Sequence, residues 1–240
     1  MTDTIDISQH TLHALRIPST ATLTSVLNKK GLWNTFMHGV QPLKPGMKMV
    51  GLAFTMRYIP AREDLDRGGS VDNRTDIQRL GIEQIQPGEV LVIDARGQTA
   101  AGTLGSILAT RLHLRGAAGI VSDGSYRDSP TIAEIGIPAY AAAMNARTNK
   151  TLHHPIDIQQ PIACGGVAVF PGDILVGDAE GVVVIPRHLA AEAAAEAAAQ
   201  EEREDFIMEK IQGGASIVDT YPPNAATLAE FEEWQKQRKP

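Results

Sequence analysis

The sequence predicts an α/β fold, and three observations carry that prediction. Apolar runs each follow a Pro-Gly turn, a strand–helix–strand stretch sits at mid-chain, and a long Ala/Glu-rich helix begins after residue 186. At 240 residues with 43% hydrophobic side chains, the chain can bury one sizeable core, and its length does not demand two. We therefore expect a single α/β core over residues 1–186, entered through helix, and a helical extension with a tail over 187–240.

The entry comes first. Pro18 and Ser19 precede TATLTSVLNKKG, a helical segment for which Gly31 supplies the stop. Three Pro-Gly blocks follow: KPGMKMVGLAFTMRY (44–58), QPGEVLVIDARG (86–97) and FPGDILVGDAEGVVVIP (170–186). In each, the Pro-Gly pair makes a tight turn and the Val/Ile/Leu-rich run behind it reads as buried strand. Their spacing has no fixed period, so they do not indicate a solenoid.

Between the second and third blocks, GTLGSILATRLHLRG (102–116) places Ile107, Leu108, Leu112 and Leu114 at roughly helical spacing. Gly116 stands where that helix would stop. AGIVSD (118–123) is a short buried strand, and GSYRD is the loop leaving its carboxyl end. Residues 131–136 read as a helical turn and IPAYAAA (137–143) as another strand. The polar stretch 144–161, with His153, His154, Pro155 and Pro161, reads as a surface excursion. From His188 to Gln212 the composition switches to Ala and Glu, a helix ended by Gly213-Gly214. A Pro-containing arm and a final short helix complete the tail. The slim Ala face of the long helix suits a plain surface helix, or packing on a neighbouring subunit where its carboxylates would reach a shared site.

Composition excludes several function classes. A net charge of −6 gives no basic field for nucleic acid, so no such partner is expected. No apolar run approaches the roughly 20 residues that span a bilayer. MTDTIDISQH lacks the apolar core of a signal peptide. The lone cysteine, Cys164, rules out an internal disulfide and reads as a small buried residue. A cytoplasmic protein with no membrane partner is the expectation.

The chemistry-bearing residues cluster at mid-chain. Arg127 and Asp128 follow a buried strand, and ligands of α/β sheets gather beyond the carboxyl ends of strands. Arginine's planar fork fits a carboxylate or a developing enolate oxygen, and aspartate is a hard oxygen ligand for Mg²⁺ or Mn²⁺. The same dipeptide also fits an exposed ion pair capping a loop. The turn Gly105-Ser106-Ile107-Leu108 opens a helix, so its free N–H groups could hold an anion. Ser106 equally fits a plain N-cap. No GxGxxG, Walker A loop, GxSxG elbow or H-E-x-x-H pattern is present, and His153-His154 offers no metal-ligand spacing. Arg62, Arg67 and Arg74, in the segment AREDLDRGGSVDNR (61–74), suit a solvated loop or a second substrate carboxylate.

GSILATRLHLRGAAGIVSDGSYRD resembles the signature of the RraA-like family. That family includes 4-hydroxy-4-methyl-2-oxoglutarate aldolases, 4-carboxy-4-hydroxy-2-oxoadipate aldolases and regulators of ribonuclease E. Members have often been mislabelled as demethylmenaquinone methyltransferases. STATLTSVLNKKG and the three Pro-Gly blocks look like family blocks in the family's order, so the resemblance covers most of residues 18–214. It implies a swivelling β/β/α fold and a homotrimer, or a hexamer of two trimers, with sites at subunit interfaces.

In the aldolases, the turn matching Gly105, Ser106, Ile107 and Leu108 binds the substrate carboxylate. The Arg matching Arg127 polarises a keto-acid, and the Asp matching Asp128 holds Mg²⁺ or Mn²⁺, partly through water. A Glu of the neighbouring subunit joins the site, matched best by Glu204 and next by Glu201. The implied reaction is carbon–carbon cleavage of a small keto-diacid to give pyruvate, by aldol cleavage or by oxaloacetate decarboxylation. One departure matters: the aldolases carry an acidic residue where this chain has Ser106, which puts proton handling in doubt. A regulator that binds ribonuclease E or a helicase, and a related lyase on a sugar acid, are the alternatives. A methyltransferase lacks any glycine-rich nucleoside-binding signal here.

Overall fold

The computed structural model describes residues 7–66 and 72–238. Two helices open it, α1 (Gln9–Ala14) and α2 (Thr20–Lys29), each started by a serine whose hydroxyl accepts the N–H three residues on. Gly31 ends the second as the sequence predicts, in a left-handed conformation at φ 83°. Then come β1 (Gln41–Pro42), the long β2 (Met49–Pro60), α3 (Ile77–Gln84), β3 (Glu89–Asp94) and β4 (Gly102–Leu104). α4 (Ser106–Leu114) joins β4 to β5 (Gly119–Tyr126), and α5 (Ser129–Ile135) joins β5 to β6 (Ala139–Met144).

The remaining strands are β7 (His153–Ile158), the hairpin of β8 (Ile162–Cys164) and β9 (Val167–Val169), and the hairpin of β10 (Ile174–Gly177) and β11 (Val182–Ile185). Two helices close the chain, α6 (Ala190–Gln212) and α7 (Ala225–Arg238).

The main sheet runs β1-β6-β5-β3-β2-β10-β11, with β4 beside β5 and β7 beside β2. Its centre, β6-β5-β3-β2, is parallel, and both flanks are antiparallel. The strand period of two divides the core. Leu91 and Ile93 face Ile82, Leu112 and Ile132 of α3, α4 and α5. Val90 and Val92 face the opposite way, toward the β8–β9 hairpin and Cys164, which is fully buried as expected. A third cluster sets Leu23 and Leu27 of α2 and Ala190, Ala193, Ala194 and Ala197 of α6 against β10 and β11.

Two expectations need correction. The stretch 144–161 is not a surface excursion, because β7 lies within it and His153 is fully buried. Strand β2 explains this: β10 covers only its first residues, so its far half has unpaired N–H and C=O groups that β7 satisfies. Ile107 and Leu114 are 82% and 72% exposed, since the inward face of α4 is completed by Ala109 and Leu112. One helix is an addition to those expectations: α3, capped by the Asp76 side chain on the Arg79 N–H.

The Ala face of α6 is buried within its own chain, where Lys30 of the segment after α2 pairs with Glu192 and Glu196. Farther along, Phe206 meets Phe231 and Trp234, which seats α7 on α6.

Candidate active site

All eight residues of β5 are buried, so Arg127 and Asp128 are the first side chains free to leave the sheet at its carboxyl end. The Arg127 N–H donates to the Leu104 carbonyl at 2.9 Å, which fixes the dipeptide against β4. Gly102 makes that approach possible: a Cβ there would lie 2.9 Å from the Arg127 nitrogen and 2.8 Å from its Cβ.

Asp128 occupies the left-handed region at φ 57°, an unfavourable place for a non-glycine residue. Although it is the N-cap of α5, its side chain makes no capping hydrogen bond there. The carboxylate turns instead toward the start of α4, where Gly105 is the N-cap and offers no side chain of its own. Ser106 donates to Asp128 Oδ2 from its N–H at 3.4 Å and from its hydroxyl at 3.3 Å. These are long contacts, at the weak end of hydrogen bonding. Arg127 Nε stands 3.5 Å from Asp128 Oδ1. Helix geometry leaves the N–H groups of Ser106, Ile107 and Leu108 without intrahelical acceptors, so this end of α4 is a source of free donors.

Arg127, Asp128 and the turn Gly105 to Leu108 line one cavity of about 610 Å³. The structure therefore brings these six predicted residues together. The facing wall was not foreseen: it comes from Gln78, Arg79 and Glu83 of α3, Arg111 of α4, and Asn73 and Asn149. A legible signal existed in Asp76 followed by IQRLGIEQ and a Pro-Gly turn, a cap, a helix and its exit.

Glu83 receives two hydrogen bonds from Arg111, at 2.9 and 2.6 Å, and one from Arg115 at 3.3 Å. Arg111 foremost holds its carboxyl below the usual carboxylate range, so it stays ionised and makes a poor base. Gln78 is buried and donates to the Tyr58 hydroxyl and the Thr103 carbonyl, tying α3 to β4.

Other predicted residues lie elsewhere. Glu201 is committed within its own chain, accepting from the Ser19 N–H at 2.8 Å and the Ser19 hydroxyl at 3.0 Å. Burial raises its carboxyl, but hydrogen bonds from Thr22 and Ser19 outweigh that and bring it below its ordinary value. Glu204 accepts from Gln200 and does not line the cavity of its own chain. Arg62 is paired with Asp64, Arg74 does not reach the cavity, and Arg67 lies outside the described residues. His154 is bonded to Asp66 and His153 to the Ala101 carbonyl. Among the described residues no three His, Cys, Asp or Glu side chains gather as a metal cluster.

Comparison with known proteins gives this geometry a context. The model of the RraA-like family, Aldolase/RraA, matches residues 20–184. A relative from Halalkalibacterium halodurans, named "Putative 4-hydroxy-4-methyl-2-oxoglutarate aldolase", is 33% identical over 149 residues, covering 62% of this chain and 64% of that protein. Protein DlpA of Legionella pneumophila is 28% identical over 178 residues, which span 74% of this chain but only 28% of its own length. The match thus spans less than two thirds of either curated relative. Among solved structures, one from Streptomyces coelicolor is described as an unusual member of the RNase ES inhibitor RraA protein family. It is 32% identical, covers 84% of this chain and 97% of its own, and superposes with a TM-score of 0.76. The mixed sheet with its helical extension is accordingly the swivelling β/β/α fold expected from the sequence.

Proposed function

Because the chain belongs to the RraA-like family, Aldolase/RraA, we propose that it is a divalent-metal-dependent carbon–carbon lyase that releases pyruvate from a small keto-diacid. The observation that carries this reading is the convergence of Arg127, Asp128 and the uncapped start of α4 on one cavity.

Asp128 suits a hard divalent cation that keeps much of its water shell. Its side chain is 41% exposed, and its contacts with Ser106 are long enough to be released. A single aspartate leaves further positions to water, to substrate oxygens and to Glu204 of a neighbouring subunit in a homotrimer or hexamer. When bound, Mg²⁺ or Mn²⁺ supplies Lewis-acid stabilisation of the enolate oxygen.

The chain's own residues do the rest. The α4 amides receive the carboxylate next to the keto group, and the Arg127 guanidinium donates to the keto oxygen as negative charge collects there. Proton transfer distinguishes the two candidate reactions. Aldol cleavage must take a proton from the substrate hydroxyl, whereas decarboxylation takes none before carbon dioxide leaves. Ser106 is no base near neutral pH, and the Arg111 hydrogen bonds lower the Glu83 pKa and so weaken it as a base. Decarboxylation of an oxaloacetate-like acid is therefore the easier chemistry for this site.

The test is a panel of keto-diacids with Mn²⁺, following pyruvate with and without EDTA. We expect EDTA-sensitive release, reduced about 100-fold or more in Arg127→Ala and Asp128→Ala. No release from any acid would sink the proposal. A second reading, a regulator of a ribonuclease, is favoured by the likeness to the Streptomyces coelicolor structure. Capture of a ribonuclease E-type enzyme that survives Asp128→Ala would support it.

A further inference from the structure

The cavity carries more positive charge than its chemistry so far uses. Three guanidiniums line it, those of Arg79, Arg111 and Arg127, against two carboxylates, Glu83 and Asp128. Arg127 and Asp128 stand together at one end, while Arg111 is engaged by Glu83, which Arg115 also shares. Among the described residues, Arg79 is the cavity guanidinium without an ion-pair partner. Among those residues its guanidinium bonds two amide oxygens, Asn73 Oδ1 and Gln78 Oε1, both at 3.3 Å, and no carboxylate; Asp76 takes only its backbone N–H.

Neutral acceptors orient a guanidinium without neutralising it. The rest of this wall is built to hold it in place. Gln78, buried beside it, is fixed by the Tyr58 hydroxyl and the Thr103 carbonyl, and Asn149 donates to Gln78 Oε1 at 3.1 Å. The same β4 strand that carries Thr103 accepts the Arg127 N–H through Leu104, so the two arginines are referenced to one rigid element.

We infer that Arg79 is the binding group for the second carboxylate of a dicarboxylic ligand whose first carboxylate lies at Arg127 and the α4 amides. It is a specificity-determining residue, selecting diacids over monoacids. Of the arginines for which the sequence left a second carboxylate open beside a solvated loop, Arg62 and Arg74 do not line the cavity and Arg67 lies outside the described residues. The assignment to Arg79 rests on reading the cavity as a keto-acid site.

Binding, rather than turnover, separates the two claims. 2-Oxoglutarate and 2-oxopentanoate have the same chain length and differ in the distal carboxylate, so their dissociation constants can be compared by calorimetry in Mn²⁺ buffer. The wild-type protein should bind the diacid about tenfold or more tightly than the monoacid, as a charge-assisted pair implies. In Arg79→Met that ratio should fall to about one, with affinity for the monoacid unchanged. Arg79→Lys, which keeps the charge but not the fork, should retain part of the preference. Arg74→Met should leave the ratio untouched, because Arg74 lies outside the cavity.

Any of four results overturns the assignment: no preference in the wild type, no binding of either acid, a preference that survives Arg79→Met, or an equal loss in Arg74→Met. If the ratio behaves as expected while no keto-diacid releases pyruvate, the subsite stands and the lyase reading falls.

Discussion

Two helix starts in this protein face the same electrostatic problem and solve it oppositely. At α2, Ser19 and Thr20 present their N–H groups to Glu201 and Asp178 at 2.8 and 2.7 Å, and their hydroxyls bond the same carboxylates at 3.0 and 2.8 Å. At α4, the N-cap is a glycine without a side chain, and the nearby carboxylate, Asp128, stays at 3.3 and 3.4 Å. The first start is closed with short, charge-assisted bonds that join α2 to α6 and to the β10–β11 turn. The second is left open beside an arginine and a cavity. Donors at an open helix start are held by water until an anion arrives, so the α4 start differs from the α2 start in being available to a ligand.

The contrast can be broken most severely at Gly105. Its backbone, at φ −125°, suits any residue, so Gly105→Ala introduces no conformational strain. The new Cβ would lie 2.9 Å from Asp128 Oδ2 and must displace that carboxylate. Pyruvate release should drop about tenfold or more, comparable to misplacing a reacting group by a fraction of an ångström, while the melting temperature holds. Unchanged turnover would mean that the close fit of Gly105 and Asp128 has no functional weight.

Glu201→Ala should give the mirror image. Removing the hydrogen bonds that Ser19 and Thr22 make to it should lower stability by about 1–2 kcal/mol in denaturant titration, with turnover per folded molecule preserved. If turnover collapsed while stability stayed, Glu201 would be serving a site and the closed start would be misread.

The smallest effect concerns pH. Burial above all, aided by the Arg96 charge, pushes the His153 pKa below its ordinary 6.5, so the folded protein keeps the ring neutral. The unfolded chain protonates first as pH falls, so stability should decline from about pH 6.5 downward until the folded-state pKa is passed. In His153→Phe that slope should flatten, whatever the variant's absolute stability. A slope identical to wild type in thermal melts from pH 7.5 to 5 would assign the decline to other groups.

How much of this was legible beforehand depended on what kind of signal each part carried. The parallel centre announced itself because β3 and β5 are buried on both faces, which writes continuous apolar runs such as VLVI and GIV. The Arg127–Asp128 end of the cavity was legible too, since its residues are contiguous in sequence. β7 was hidden because an antiparallel flank needs its backbone more than its side chains, and His153-His154-Pro155 looks like loop. Ile107 misled for the opposite reason: its apolar side chain points out at the cavity rather than into the core. Arg79 was illegible as a site residue because its meaning comes from charges brought together from three elements far apart in sequence.

The weak hold of Ser106 on Asp128 has a thermodynamic consequence. A ligand carboxylate arriving at the α4 amides competes with Asp128 for the same donors, so its arrival frees the aspartate for whatever that side chain then holds. Linkage makes the traffic reciprocal: drawing Asp128 away from the helix start must raise the affinity of that start for an incoming anion by the same factor. On the proposed lyase reading, the two halves of the cavity should fill cooperatively, and affinities measured for either occupant alone should understate those of the pair.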